Sequence, residues 1–294
     1  KKVYQMDRGK NHKEAVYYLG DLYKKTEHYK NARKYFRRAL RIYRKEKDGY
    51  FYTSATQQIK SCVFAEQQIK RPKDITLFNI GPNLNTVNSE FSGFIFDDTT
   101  LYYSSLRPDS SVNSIVVDTS DYSIGIMRAK LRGGYWLEET EVDGLAIIEE
   151  PDVANLSFNT RRNEAFFSGC KNRRCKIYRA YYGDGLWSEP ELFDDAVNLD
   201  GYTQTQPFAV KIKGYNYLFF TSDRPGGKGG LDIWYVNYYS NGEVSEPINL
   251  GSEINTPGNE ICPFYSIEDS TFYFSSDWHL GFGGFDIFKS KGVP

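Results

Sequence analysis

Residues 221–235 read TSDRPGGKGGLDIWY, after an apolar and aromatic run, YNYLFF, at 215–220. Four glycines and a proline between two strand-like runs spell a β-hairpin whose tip needs positive φ and room for backbone. Gly229 and Gly230 are the expected carriers of those conformations. Asp232 follows the tip, where a short carboxylate accepts backbone N–H groups and holds the turn closed. The stretch returns at 274–288 as FSSDWHLGFGGFDIF, with Asp286 in the place of Asp232. A hairpin signature repeated within one chain points to a repeat architecture.

The unit around this hairpin runs from the neighbourhood of Asn198 through QPF at 206–208 to SEPINLG at 245–251. A second copy follows through INTPGNEICPF at 254–264 and FDIFKSK at 285–291. Two thinner copies come earlier. One holds NEAFFSG (163–169), CKIYRA (175–180) and LWSEPELF (186–193). The other holds TTLYYSSLRP (99–108), IGIMRAKL (124–131) and YWLEETEV (135–142), with an insertion between Pro108 and Tyr122. Each unit spans about 50–60 residues and carries four short strands between turn signals, the pattern of a propeller blade. ITLFNIGPNLNTVNSE at 75–90 aligns without a gap on SEPINLGSEINTPGNE at 245–260. Residues 75–80 are therefore expected to form an outermost strand that completes the last blade and hides a sheet edge.

Residues 1–72 have a different character. They hold no proline before Pro72, and their apolar residues fall at helical spacing. Val16, Leu19, Gly20, Tyr23, Ala32, Phe36 and Ala39 occupy the packing positions of a 34-residue unit beginning at Lys13, and so resemble a tetratricopeptide repeat. Small Gly20 and Ala32 let two helices approach, with Tyr23 and Phe36 filling the space beside them. A third helix, about 50–69, presents Ala55, Ile59, Cys62, Val63 and Ile69 and is expected to cap the pair. One repeat is too few for a stable solenoid, so further repeats are expected before Lys1. The fold class is thus α+β with two domains, a helical repeat at 1–72 and an all-β propeller of at least four blades at 73–294.

Charge divides at the same place. Residues 1–72 carry 19 Lys/Arg against 7 Asp/Glu, or +12, while 73–294 carry 18 against 31, or −13. The second helix is the most basic stretch, with Arg37, Arg41 and Arg44 as its candidate partner-contact face. A solvated face beside an acidic neighbour explains the charge as well as an acidic-protein or anionic-lipid contact does. Nucleic acid is not expected, because no aromatic groups are interleaved on that side for stacking. No apolar run reaches the length of a membrane helix and no signal peptide opens the chain, whose two ends look cut from something longer.

The helical repeat, the cysteine-bearing helix SCVFAEQQIKRP (61–72), the NxGxxxNT linker and the SDRPGGKGGLDIW blade together resemble the WD40-like PD40 propellers of Bacteroidota OmpA-family lipoproteins. The resemblance implies a periplasmic setting at the outer membrane and secretion-system or outer-membrane proteins as partners. In that family an OmpA-like domain grips peptidoglycan and follows the propeller. That domain is not in this chain, so peptidoglycan contact is not expected of these residues.

Cys170 and Cys175 bracket the hairpin tip CKNRRC. A disulfide suits an oxidising periplasm; two free thiols and a metal site are the alternatives. Cys62 and Cys262 read as small core residues. Glu90, Asp152, Gln204 and Glu260 recur where the innermost strands begin and are read as a polar lining of the channel mouth. Paired acids there are also what a glycosidase uses, and a cation or small ligand is a third option. Asp232 and Asp286 stand singly rather than in the runs that calcium sites need. Arg224 is expected to lay its stem on Trp234 and bond carbonyls with its head. No metal or cofactor is expected. The function expected is a non-catalytic scaffold for protein partners, with a glycan-binding or glycan-cleaving propeller as the alternative.

Overall fold

A computed structural model describes residues 2–7, 10–108, 122–145, 148 and 150–292. The insertion expected between Pro108 and Tyr122 lies outside the described residues. The chain is mostly β, with four helices and four antiparallel sheets in a four-blade propeller arrangement among those residues. It partitions into two compact units. One comprises 1–76 with 256–259 and 275–288, the other 77–255 with 260–274 and 289–294.

In the first unit the helices are α1 (Lys2–Asp7), α2 (Glu14–Lys25), α3 (Tyr29–Ile42) and α4 (Tyr50–Gln68). Val16, Tyr17, Ala32, Phe36, Ala39, Ala55, Cys62 and Ala65 form their buried core. Gly20 is needed because a Cβ there would sit 2.9 Å from the Phe36 ring, so α2 and α3 approach over a bare backbone. The third helix of the sequence reading is α4, and it bonds to the second glycine-rich stretch. Its Ser61 hydroxyl donates to Gly281 O at 2.7 Å and accepts Gly281 N–H at 3.1 Å. Gln57 Nε2 donates to Trp278 O at 3.1 Å, and Phe64 faces Phe282. The second glycine-rich tip thus packs on α4 within the same unit.

The strands run β1 (Ser89–Asp97), β2 (Thr100–Pro108), β3 (Tyr122–Arg132) and β4 (Tyr135–Glu141) in the first sheet. The second has β5 (Asp152–Phe158), β6 (Glu164–Lys171), β7 (Arg174–Gly183), β8 (Leu186–Trp187) and β9 (Glu191–Leu192). The third has β10 (Gln204–Ile212), β11 (Tyr215–Ser222), β12 (Asp232–Tyr238) and β13 (Ile248–Asn249). The fourth has β14 (Glu260–Ser266), β15 (Thr271–Ser276) and β16 (Asp286–Lys291). Each is a meander in chain order. Apolar side chains fill the spaces between neighbouring sheets: Tyr102, Ile126, Phe158 and Phe167 in one cluster, and Phe166, Leu218, Phe220 and Trp234 in the next.

Residues 75–80 form no strand, and the fourth sheet has three strands among the described residues. Leu77 and Phe78 are 91% and 83% exposed. The turn that follows nevertheless takes the shape of its copy. Asn79 Oδ1 accepts Gly81 N–H at 2.8 Å and Asn85 Nδ2 at 2.9 Å, as Asn249 Oδ1 accepts Gly251 N–H and Asn255 Nδ2 at 2.9 and 3.0 Å. Asn255 goes on to bond both Ile233 N–H and Ile233 O at 2.8 Å, clipping the turn to β12. The turn is local and closes by itself. An outer strand as short as β13 exists only where a third strand pairs with it.

Candidate functional site

The innermost strands β1, β5, β10 and β14 surround an axial pocket of about 920 Å³. Each carries one residue in the left-handed region at the same place: Ser92, Asn155, Gln206 and Cys262, with φ of 51°, 60°, 54° and 55°. The ladders of β1, β5 and β10 shift register across these residues, which marks β-bulges. Holding four non-glycine residues in this conformation costs about 1–3 kcal/mol each, so the surroundings must fix it. They do so from sheet to sheet. Asn155 N–H donates to Ser104 Oγ at 2.9 Å and Gln206 N–H to Ser168 Oγ at 3.0 Å. Cys262 N–H donates to Gln206 Oε1 at 2.9 Å.

The bulge side chains continue the chain of bonds around the pocket. The Ser92 hydroxyl donates to Asn155 Oδ1 at 2.5 Å, and Asn155 Nδ2 reaches Thr205 Oγ1 at 3.4 Å. Gln206 Oε1 also accepts the Thr221 hydroxyl at 3.2 Å. Phe91, Phe208 and Phe264 add apolar wall. Cys262, expected in the core, opens onto this pocket, its backbone in the left-handed region.

The four polar residues expected at the channel mouth stand two positions before the bulges, or three for Asp152, and none lines the pocket. Glu90 accepts the Thr86 hydroxyl at 2.6 Å and Thr86 N–H at 3.2 Å, tying down its own loop. Asp152 Oδ1 accepts Ile124 N–H at 2.9 Å from β3. Gln204 is buried and donates to Leu199 O at 3.1 Å. Glu260 is wholly buried, and its N–H donates to Leu231 O at 2.7 Å. A bulge between a strand's first residues and its middle changes which side chains face inward, and alternation alone does not reveal it.

At the glycine-rich tip, Asp232 accepts N–H from Lys228 and, at 3.2 Å, from Gly229, and also Asn249 Nδ2 at 2.9 Å. Asp286 accepts N–H from Phe282 at 2.8 Å and from Gly283 at 3.4 Å. Positive φ falls on Gly226, at 88°, and on neither Gly229 nor Gly230. The steric demand falls on Gly227, where a Cβ would sit 2.5 Å from Asp232 Oδ2; Gly281 is crowded by Asp286 in the same way. These glycines make room for the carboxylate, whereas Gly229 supplies an N–H. Their exact repetition 54 residues apart was the available signal.

Arg224 is buried with its guanidinium 4.8 Å from the Phe220 ring centre and 5.6 Å from Trp234. It donates to Ala196 O at 2.9 Å and to Val197 O, and burial lowers its pKa to about 10. Cys170 and Cys175 are joined as a disulfide across the tip of the β6–β7 hairpin. On α3, Arg37 and Arg41 are exposed on one face with Lys30 and Lys34, and Arg44 is exposed in the turn that follows the helix. No described group of three or more His, Cys, Asp or Glu is arranged to hold a metal, and no described helix is long and apolar enough to cross a membrane.

No family model matches the chain, and no curated protein matches it. Solved structures that resemble it include TolB from Acinetobacter baumannii, 15% identical over 69% of this chain and 41% of that chain, with a TM-score of 0.41. Others are the GH43 endo-arabinanase from Bacillus licheniformis (17% identity, 67% and 71% coverage, TM-score 0.42) and Bacillus subtilis levansucrase (11%, 79% and 76%, 0.48). The chain spans 41% of the length of the TolB chain it matches.

Proposed function

We propose that this chain is a non-catalytic periplasmic scaffold that holds acidic protein partners on a basic helical module, with domains at 1–72 and 73–294. The observation that carries this reading is the outer face of α3. Lys30, Lys34, Arg37 and Arg41 are all exposed at spacings of three and four, so one helix face carries four cations along about 16 Å, and exposed Arg44 follows in the turn after α3. No ion pair with a carboxylate engages any of them among the described residues, while the inward-turned Arg33 meets Glu66 at 2.8 Å. The apolar side of α3 is spent in the helical core, so the helix has no free face to lay into a bilayer. Exposed arginines of this kind suit carboxylates, which they engage bidentately.

In this reading α2 and α3 act as a tetratricopeptide-like pair with α4 as the cap. The resemblance to OmpA-family lipoproteins, and among them to the PorE component of the type IX secretion system, supports secretion components near the outer membrane and cell wall as the partners. The axial pocket is lined by a single carboxylate, Glu268, among the described residues. Glycoside hydrolysis needs two, which favours binding over cleavage.

Cross-linking of the chain in extracts of its source cells, followed by peptide mapping, tests the proposal. The expected result is acidic segments of secretion proteins linked to α3, lost when Arg37, Arg41 and Arg44 are all changed to Glu. Capture that survives the triple charge reversal overturns it.

A further inference from the structure

A second cleft, of about 550 Å³, shares Asn159 and Thr160 with the axial pocket and lies where the β5–β6 and β10–β11 turns meet the ends of β7 and β12. Lys211 N–H donates to Thr160 Oγ1 at 2.9 Å and joins the two turns. Tyr181, Tyr215 and Tyr239 all line it, and they are 47%, 59% and 46% exposed. Six tyrosines are that exposed among the described residues, and three of them meet in this one concavity. Single exposed aromatics are ordinary, but three converging on a concave site are not.

The remaining lining is rich in amides and short of hydrocarbon. Asn159, Asn163 and Asn216 are on the wall. Asn159 Nδ2 donates to Asn163 Oδ1 at 3.0 Å and to Glu164 Oε2 at 3.2 Å, while Asn216 Nδ2 donates to Tyr238 O at 3.3 Å. Glu164 is already answered inside the protein, with Arg179 at 3.6 Å, and burial raises its pKa. Arg161 and Lys211 are exposed on the same wall, and no ion pair engages either among the described residues. The cleft therefore offers aromatic faces, fixed amides and two free cations.

We infer that this cleft binds a short acidic saccharide. Sugar rings present apolar C–H faces that pack on tyrosine rings and hydroxyls that pair with amides, and a uronate-type carboxylate would meet Arg161 and Lys211. The volume suits two or three sugar units rather than a protein surface. The site does not involve α3, so it stands or falls independently of the scaffold proposal.

Titration calorimetry with oligogalacturonate and, for comparison, neutral cello-oligosaccharide tests the inference on the intact chain. Binding of the acidic probe should weaken several-fold to about tenfold in Tyr215→Ala and again in Tyr239→Ala, both at exposed positions. Arg161→Glu with Lys211→Glu should abolish the preference for the acidic probe. An unchanged melting temperature in each variant shows that the fold is intact. No heat with the acidic probe at millimolar concentration, binding indifferent to both tyrosine changes, or equal affinity for the two probes in the unmodified chain overturns it.

Discussion

Asp232 closes its turn by collecting N–H groups from Lys228 and Gly229, and Gly227 is the residue that leaves it space. Gly227→Ala should accordingly lower stability by about 1–3 kcal/mol, the range for forced overpacking, whereas exposed Lys228→Ala should change it little. Thermal melting of the two variants checks this, and equal melting temperatures would contradict it. The same scale holds the Cys170–Cys175 pair. Peptide mapping before and after reduction should show the 170 and 175 peptide protected from alkylation until reductant is added. Gly227 was legible as one of four glycines, but its task was not, because the clash depends on where the carboxylate of a residue five positions on comes to lie.

Among the elements, α4 rests on a buried two-way contact between the Ser61 hydroxyl and both backbone groups of Gly281. Ser61→Ala leaves a buried N–H and C=O without their partner, which costs about 1–3 kcal/mol. Hydrogen exchange should report faster loss of the Gly281 amide in that variant; unchanged protection would refute the contact. On α2, Lys24 is almost wholly buried and donates to Gln58 Oε1 at 2.7 Å. Burial lowers its pKa. Between that lowered value and the ordinary one near 10.4, the unfolded chain holds a proton that the folded chain does not, so this group's contribution to stability rises with pH. Buried tyrosines, whose pKa values burial raises, act in the opposite direction. The difference between the unmodified chain and Lys24→Met isolates the lysine: the gain of the variant over the parent should shrink as pH rises from 8 to 10. A difference independent of pH would show that Lys24 titrates as in water.

For the whole molecule, the separation of charge into +12 and −13 is a property of composition. It bears on partners rather than on fold. The four-sheet arrangement brings bulges to the axis and leaves Glu90 and Glu260 outside the pocket, in loop and core contacts. A panel of polysaccharide and peptidoglycan fragments should therefore survive incubation with the protein, and Glu90→Gln with Glu260→Gln should change nothing in that assay. Reproducible cleavage lost in the double variant would favour a glycosidase.

Helices α2 to α4, the hairpins and the copy-to-copy match of the turns at 79–85 and 249–255 came from sequence alone. They depend on periodicity and on hydrogen bonds between residues a few positions apart, such as Asn79 with Gly81. Tertiary structure decided the rest. It set Ser92, Asn155, Gln206 and Cys262 around the pocket, put Gly281 against Ser61, left 75–80 outside any sheet, and gathered Tyr181, Tyr215 and Tyr239 into one cleft. Each of these outcomes turns on groups that are far apart in the chain. Their meeting is fixed by the free energy of the whole packing against chain entropy, and no local pattern encodes that balance.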